Sequence, residues 1–452
     1  MAFDGLDSPR LTGFHRRVTL LSGAGTFLDG FDLTVIAVAL PFLIKEWGIP
    51  TGLIGLVAAS AVIGMLFGSL VLGYLTDRIG RKAMYVIDLG CFVVFAALTA
   101  LSQNVWEFIA FRFLLGLGIG ADYAISPTLL AEFVPAGRRG AFVTAIGSCW
   151  FLGAVTAYVA GYLLLPVGPN AWRWMLFLGA AIAVVVIFLR AGIPESPRWL
   201  ATQGRKDDAE NILLALTGEP STVAAEPAQP WRSMFQAPLL RFTIFVAGFW
   251  FCYDIAFYGI SIYTPTILKT FTHGHAGLAY LGAAAVSGLG LIGALIGMTL
   301  VDGWGRRKLI ILAFAGLTLM LLALAIQPHP ALGLLVILFG LSTLFANMGP
   351  GVLDFVYPTE IFPSGVRASA TGFGTAVSRI GAIITIIVFP ALVHNWGLQD
   401  ALWLFVAAAA AGLGICIFLA PETKQQTLET LASPIRETSL ADQATPEKFA
   451  GT

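Results

Sequence analysis

The chain has 452 residues, 57% of them hydrophobic and only 12% charged, and its mean hydropathy is +0.83, which is too apolar for a soluble fold of this size. Lys plus Arg equals Asp plus Glu at 26 each, a balance that argues for neither nucleic acid nor an acidic partner. The four cysteines (Cys91, Cys149, Cys252 and Cys416) all fall inside apolar runs, where they read as buried thiols rather than a disulfide frame or a metal site.

After 17 mostly polar residues, apolar runs of about 20 residues or more, enough to cross roughly 30 Å of hydrocarbon, occur at 18–43, 51–76, 83–102, 106–134, 139–165 and 172–193. Six more follow at 240–270, 276–301, 308–327, 331–358, 366–393 and 399–420. The first run lacks a cleavage signature, so it is expected to remain as a helix. The expected fold is an all-α integral membrane protein with twelve transmembrane helices in two six-helix bundles, over 1–193 and 240–420. Between them the loop 194–239 opens on a helix start at Ser196-Pro197, has helical spacing from Lys206 to Leu216, and loosens into a Pro/Ala/Glu linker from Glu219 to Pro230. A polar tail, 421–452, is expected to be disordered beyond Ser433.

Twenty of the 26 basic residues fall on one side of this arrangement, against Lys45, Arg173 and Lys269 on the other and three within spans. The positive-inside rule makes both termini and the central loop cytoplasmic, in a multi-pass protein of the cell membrane.

Asp77 to Lys82 (DRIGRK) lies between two apolar runs, and DGWGRRK, from Asp302 to Lys308, repeats it 225 residues later. Glu132, Pro135 and Arg139 recur as Glu360, Pro363 and Arg367 at an offset of 228, and PESPR at 194 recurs as PETKQ at 421. Gly68 and Gly293 each stand nine residues before the repeated aspartate, in small-residue stretches suited to close helix contact. Three motif pairs at nearly one offset mean two pseudo-symmetric halves related by duplication.

On these motifs, with RFLLGLGIG in span four, the whole chain resembles the major facilitator superfamily, and most of all its sugar-porter-related branch. The resemblance implies alternating access, in which two bundles rock about a site near the bilayer midplane. Neutral-sugar porters carry glutamines in spans five and seven, whereas the matching stretches here read GSCWFLGAV and WFCYDIAFYGISIY, which demotes a sugar. Asp122 and Tyr123, with Trp250, Asp254, Tyr258 and Asn347, resemble the site of phosphate:proton symporters, although that family's span-five glutamine is missing and its span-eleven lysine is replaced by Arg379. FLDGFDLTVIAVALP at 27–41 is similar to aromatic-acid:proton symporters, and SRIGAI at 378 to the span-eleven arginine of organic-anion carriers.

Asp29, Asp32, Arg112, Asp122, Asp254 and Arg379 lie well inside spans. Exposing all six to lipid would cost on the order of 15–20 kcal/mol, more than the usual stability of about 5–15 kcal/mol, so they must face a cavity or one another. All but Arg112 count to roughly 17–21 Å from the cytoplasmic end at about 1.5 Å per residue. Four carboxylates against two guanidiniums leave a formal charge of −2, and burial beside like charges favours protonated acids. Asp29 and Asp32, at i and i+3, are the expected proton carriers, with Arg112 and Asp122; the alternative is that Asp32 and Arg112 form a structural lock. All five histidines fall in loops or span ends, which argues against a histidine relay.

Trp250, Asp254 and Tyr258 share one face of span seven, and Thr371, Thr375 and Arg379 one face of span eleven. The planar fork of Arg379 suits a carboxylate or phosphate; the alternative is an Arg379–Asp254 pair that stabilises one conformation around a neutral substrate. On the cytoplasmic side Asp77, Arg81, Glu132 and Arg139, with their twins Asp302, Arg306, Glu360 and Arg367, are expected to clamp the halves together, while Arg78, Lys82 and Lys308 read as topogenic charge. The expectation is a proton-coupled symporter of a small organic metabolite in anionic form, working as a monomer in the bilayer with a small-molecule substrate, protons and no cofactor. Inorganic phosphate symport, a sugar or polyol transporter and a non-transporting sensor are the alternatives. No metal-ligand spacing, Ser/His/Asp set or phosphate loop supports an enzyme.

Overall fold

A computed structural model of the chain describes residues 13–190, 192–218, 223, 230–327, 331–428 and 431. Most of the linker expected over 219–230, and the tail expected to be disordered beyond Ser433, lie outside the described residues.

The first half contains α1 (Gly13–Trp47), α2 (Thr51–Ile79), α3 (Arg81–Leu101), α4 (Val105–Phe133), α5 (Arg139–Leu164) and α6 (Ala171–Arg190). Two short helices follow, α7 (Pro197–Thr202) and α8 (Lys206–Thr217), and then the second half: α9 (Leu240–Phe271), α10 (Ala276–Trp304), α11 (Arg306–Ala325), α12 (Leu332–Met348), α13 (Pro350–Ile361), α14 (Arg367–Trp396) and α15 (Leu398–Leu419). The crossing helices satisfy most of their backbone polar groups internally, the condition that hydrocarbon imposes, and α1, α4, α9, α13 and α14 each carry one internal proline that removes a donor. Large apolar side chains such as Phe188 and Phe418 point outward, 77% and 79% exposed, as lipid-facing residues should.

Local signals account for the helix ends. Asn104 caps α4 by accepting from the amides of Trp106 and Glu107 at 3.1 and 3.0 Å, and Ser196 caps α7 by accepting from the Trp199 amide at 3.2 Å. The turns α2–α3 and α10–α11 pass through Gly80 (φ +115°) and Gly305 (φ +99°), a backbone region that disfavours other residues. The expected continuous span over 331–358 is broken: α12 ends at Met348 and Pro350, which has no amide hydrogen to donate, opens α13. That break carries Gly351, Asp354 and Phe355 to the middle of the molecule.

Gly68 lets α2 cross α4 so closely that an added Cβ would lie 2.1 Å from the Leu117 carbonyl oxygen, and Gly293 does the same for α10 against Leu344 of α12, at 2.2 Å. The duplication seen in the sequence is thus a duplication of helix crossings.

Candidate functional site

The repeated motif builds a polar network on the face that carries most of the basic side chains. Arg81, fully buried, pairs with Asp77 at 3.1 Å and Glu132 at 3.2 Å, and Arg306 pairs with Asp302 at 2.9 Å and Glu360 at 2.7 Å. Each aspartate also reaches into the other half. Asp77 Oδ2 accepts from the amide and hydroxyl of Ser369, both at 2.7 Å, in the first turn of α14, and Asp302 Oδ2 accepts from the Ala141 amide at 2.9 Å in the first turn of α5. A carboxylate at a helix N-terminus satisfies an orphan amide and complements the helix dipole. Arg367 Nη1 adds a 2.8 Å ion pair to Glu132 across the halves, and Arg139 Nη1 donates to the Gln426 carbonyl at 3.2 Å.

The PESPR and PETKQ copies belong to the same device. Glu195 accepts from the amides of Arg81 and Lys82, both at 3.1 Å, and Glu422 from those of Arg306 and Arg307 at 3.0 and 3.2 Å. Sequence reasoning saw these repeats without a role for Glu195 or Glu422. The spacing that links each of them to its helix start is 113 to 116 residues, so no local pattern carries it.

At the opposite face the halves meet through neutral contacts. Tyr280 donates to the Val38 carbonyl at 3.2 Å and Tyr158 to the Ser261 carbonyl at 3.1 Å, and an added Cβ on Gly55 would lie 2.8 Å from Ile387 Cα. The space between the halves is therefore closed at both ends.

Within it lies a small cavity of about 20 Å³, lined by Tyr123, Trp150, Phe257, Tyr258, Asp254 and Arg379, among others. Arg379 and Asp254 approach to 3.3 Å, both buried, and the guanidinium lies between the rings of Tyr123 and Tyr258, 4.9 and 5.0 Å from their centroids. The pair is loosely made: neither Asp254 carboxylate oxygen, nor Arg379 Nε or Nη1, has a hydrogen-bond partner. A second cavity of about 20 Å³ continues toward the opposite face beyond Phe151 and Phe257, which border both.

Of the other residues expected to bind substrate, Trp250 and Asn347 do not line this cavity. Trp250 is buried behind it with its ring centroid 6.3 Å from that of Phe355. Asn347 accepts from the Tyr253 hydroxyl at 2.9 Å and donates to the Thr343 carbonyl at 2.7 Å, so its amide is occupied.

The expected proton-coupling residues divide into two groups. Asp122 accepts from Arg190 Nη1 at 3.0 Å and from the Ser126 hydroxyl at 2.7 Å; Arg190 also donates to the carbonyls of Leu21 and Ser22, lies 3.8 Å from Asp88, and covers the Tyr85 ring at 3.8 Å. Asp29 is within electrostatic reach of Asp122, Asp88 and Arg190, and its Oδ2 has no hydrogen-bond partner. Asp32 is apart from this group. Its carboxylate packs toward Gly179 of α6 without a hydrogen bond, while Arg112 donates to the Asp32 main-chain oxygen at 2.9 Å instead of to the carboxylate.

Asp88, Arg190 and Asp354 are functional candidates that sequence reasoning left out of the site. With them, the buried acids Asp29, Asp32, Asp88, Asp122, Asp254 and Asp354 face Arg112, Arg190 and Arg379, a formal charge of −3 in place of −2. Asp88 and Asp354 stood inside apolar runs, and the rule that flagged Asp122 would have found both. Asp354 lies within electrostatic reach of Asp254 and Arg379, with Oδ1 buried and unpaired.

The sequence profile described as Sugar (and other) transporter matches residues 18–433. The putative metabolite transport protein YaaU of Escherichia coli K12 is 34% identical, over 93% of this chain and 95% of its own length. The niacin transporter NiaP of Acinetobacter baylyi is 27% identical over 92% of this chain and 96% of its own. The probable inorganic phosphate transporter 1-6 of Arabidopsis thaliana is also 27% identical, over 94% and 95%. Among solved structures, the proton:xylose symporter XylE bound to 6-bromo-6-deoxy-D-glucose superposes with a TM-score of 0.81 at 25% identity, over 93% of this chain and 99% of that one.

Proposed function

This chain belongs to the sugar (and other) transporter family of the major facilitator superfamily, and we propose that it is a proton-coupled symporter of a small organic anion. The observation that carries the reading is Arg379. Its Nε and Nη1 border the closed central cavity without an acceptor, and its only ion-pair partner among the described residues is the poorly aligned Asp254. A buried donor left unmade is costly, about 1–3 kcal/mol and more when charged, and an incoming carboxylate removes that cost.

Substrate entry also accounts for coupling. An anion that takes over Arg379 leaves Asp254 beside Asp354 without its cation, and a buried carboxylate in that position favours the neutral acid. Asp29, next to Asp122 and Asp88 with only Arg190 to balance three acids, and Asp32, unpaired against α6, are the groups proposed to carry the proton. The basic face is taken as cytoplasmic. Its network holds the cavity shut on that side, and release requires the Asp77–Ser369, Asp302–Ala141 and Arg367–Glu132 links to part.

The inorganic phosphate reading is favoured by Tyr123, Asp254 and Tyr258 around one cation, and disfavoured by the occupied amide of Asn347. A thermal-shift screen of purified protein against organic carboxylates, phosphate, sugars and cationic amines separates these readings, followed by uptake of the best ligand into proteoliposomes under a pH gradient. A carboxylate should stabilise the protein. Asp29→Asn or Asp32→Asn should abolish gradient-driven uptake while leaving counterflow exchange. Stabilisation by sugars alone removes the anion, and gradient-driven uptake that survives in both variants removes these proton carriers.

A further inference from the structure

Seven of the eleven residues that line the central cavity are aromatic, contributed by α4, α5, α9 and α13. Their rings pack in two groups: Trp150 lies 4.9 Å from Phe151 and 5.8 Å from Phe257, and Phe257 stacks on Tyr253 at 5.4 Å with 15° between planes and meets Tyr258 edge-on at 5.5 Å, while Tyr123 meets Phe355 edge-on at 5.2 Å. Rings packed this way offer both faces and edges, the two surfaces that another ring prefers.

The polar inventory is short and one-sided. The lining contains no Asn, Gln, Ser, Thr, His or Glu. Three N–H groups on lining residues, Arg379 Nε, Arg379 Nη1 and Trp150 Nε1, are buried without an acceptor. Such a set can serve one acceptor-rich end of a ligand, and the carboxylate in the lining that could accept from a hydroxyl, Asp254, lies at that same end, 3.3 Å from Arg379. Hydroxyl side chains (Ser261, Thr264, Ser287, Ser342 and Thr343) border the adjoining space toward the opposite face and not the cavity beside Arg379; Thr264, Ser342 and Thr343 donate to their own helix at 2.8 Å, which leaves them as acceptors there. A tetrahedral phosphate would meet a single guanidinium, the Trp150 N–H and tyrosine hydroxyls, with no second cation in the lining to balance its charge. In this closed state the cavity itself is only about 20 Å³, well below the roughly 300–1,000 Å³ of an open ligand pocket, so the wall has to part to admit even a single ring.

We propose that the substrate is a planar aromatic monocarboxylate of about one ring, its carboxylate on Arg379 and the Trp150 N–H and its ring within the wall formed by Trp150, Phe151 and Phe257. This rests on the reading of Arg379 as an anion site and adds the requirement for an aromatic body. It also gives the guanidinium between Tyr123 and Tyr258 a purpose, because cation–π contacts hold its plane while its edge remains open to the ligand.

The test compares matched acids on the purified full-length protein at pH 7, read by tryptophan fluorescence and thermal shift: benzoate, cyclohexanecarboxylate, acetate, inorganic phosphate and D-xylose. Benzoate should bind at least tenfold more tightly than cyclohexanecarboxylate, which has the same charge and nearly the same size without the π-face. Phe257→Leu, and separately Trp150→Leu, should reduce that ratio toward one, and the melting temperature of each unliganded variant shows whether it is folded. Equal binding of benzoate and cyclohexanecarboxylate overturns the aromatic requirement and leaves the anion reading standing. Binding of D-xylose without either acid overturns both, and binding of phosphate alone overturns the organic anion.

Discussion

Two fully buried arginines, Arg190 and Arg379, make the most informative comparison in the molecule. Arg190 is saturated: one carboxylate at 3.0 Å, a second at 3.8 Å, two main-chain carbonyls and a tyrosine face surround it. Arg379 is held in place by two rings and one carboxylate, yet two of its three nitrogens lack an acceptor. Burial and charge are the same in both, and what differs is unspent hydrogen-bonding capacity. A saturated guanidinium organises its own half, whereas an unsaturated one at the edge of a cavity is available to a ligand.

The largest expected effect follows directly. Arg190→Ala leaves Asp122 and Asp88 without their cation and should destabilise the protein by about 3–5 kcal/mol, seen as a lowered melting temperature in detergent, whereas Arg379→Ala should lose ligand binding with a much smaller change in melting. Equal losses of stability would dissolve the distinction between the two arginines.

Gly25 sharpens the same contrast at intermediate cost. A Cβ there would lie 1.5 Å from Arg190 Nη2 and 2.8 Å from Asp122 Oδ2, so α1 makes room for the guanidinium by omitting a side chain. Gly25→Ala should cost about 1–3 kcal/mol through overpacking and show the same loss of melting temperature as Arg190→Ala, on a smaller scale. An unchanged melting curve would mean that the cluster relaxes freely.

The weakest expected effects lie at the basic face. Glu132→Gln weakens charged hydrogen bonds from Arg81 and Arg367, each worth about 1.5–3 kcal/mol, and should shift the population toward opening on that side. Spin labels at Lys82→Cys and Lys308→Cys, both exposed and in opposite halves, would report a larger fraction at long distance. The labelling substitutions alone should change stability by no more than about 0.5 kcal/mol. A distance distribution identical with and without Glu132→Gln would remove the clamp.

Much of this is legible in the sequence. The spans, the duplication and the gathering of ionisable residues between the halves follow from run lengths and spacing. Gly80 and Gly305 were marked by the repeat, and their positive φ explains why glycine recurs. Less legible was the assignment of partners. Asp32 and Arg112 looked like a side-chain pair, but the guanidinium takes the main-chain oxygen; Asn347 looked like a ligand contact, but Tyr253 reaches it first. Asp88 and Asp354 were visible in their runs and went uncounted, while Arg190 was placed within its span without a role, because nothing in sequence shows that Gly25 makes room for it.

The sequence by itself determined the membrane fold, the two halves and the class of transporter, because a helix in hydrocarbon satisfies its backbone internally and declares its length, polarity and charge one segment at a time. Only the tertiary structure decided which buried charges are neutralised and which remain open. That depends on the angular position of each side chain and the closeness of each helix crossing, set jointly by residues far apart in the chain. Arg190 and Arg379 both lie within spans in one dimension, and their surroundings in three saturate the first and leave the second open, which is why the second is the one proposed to bind.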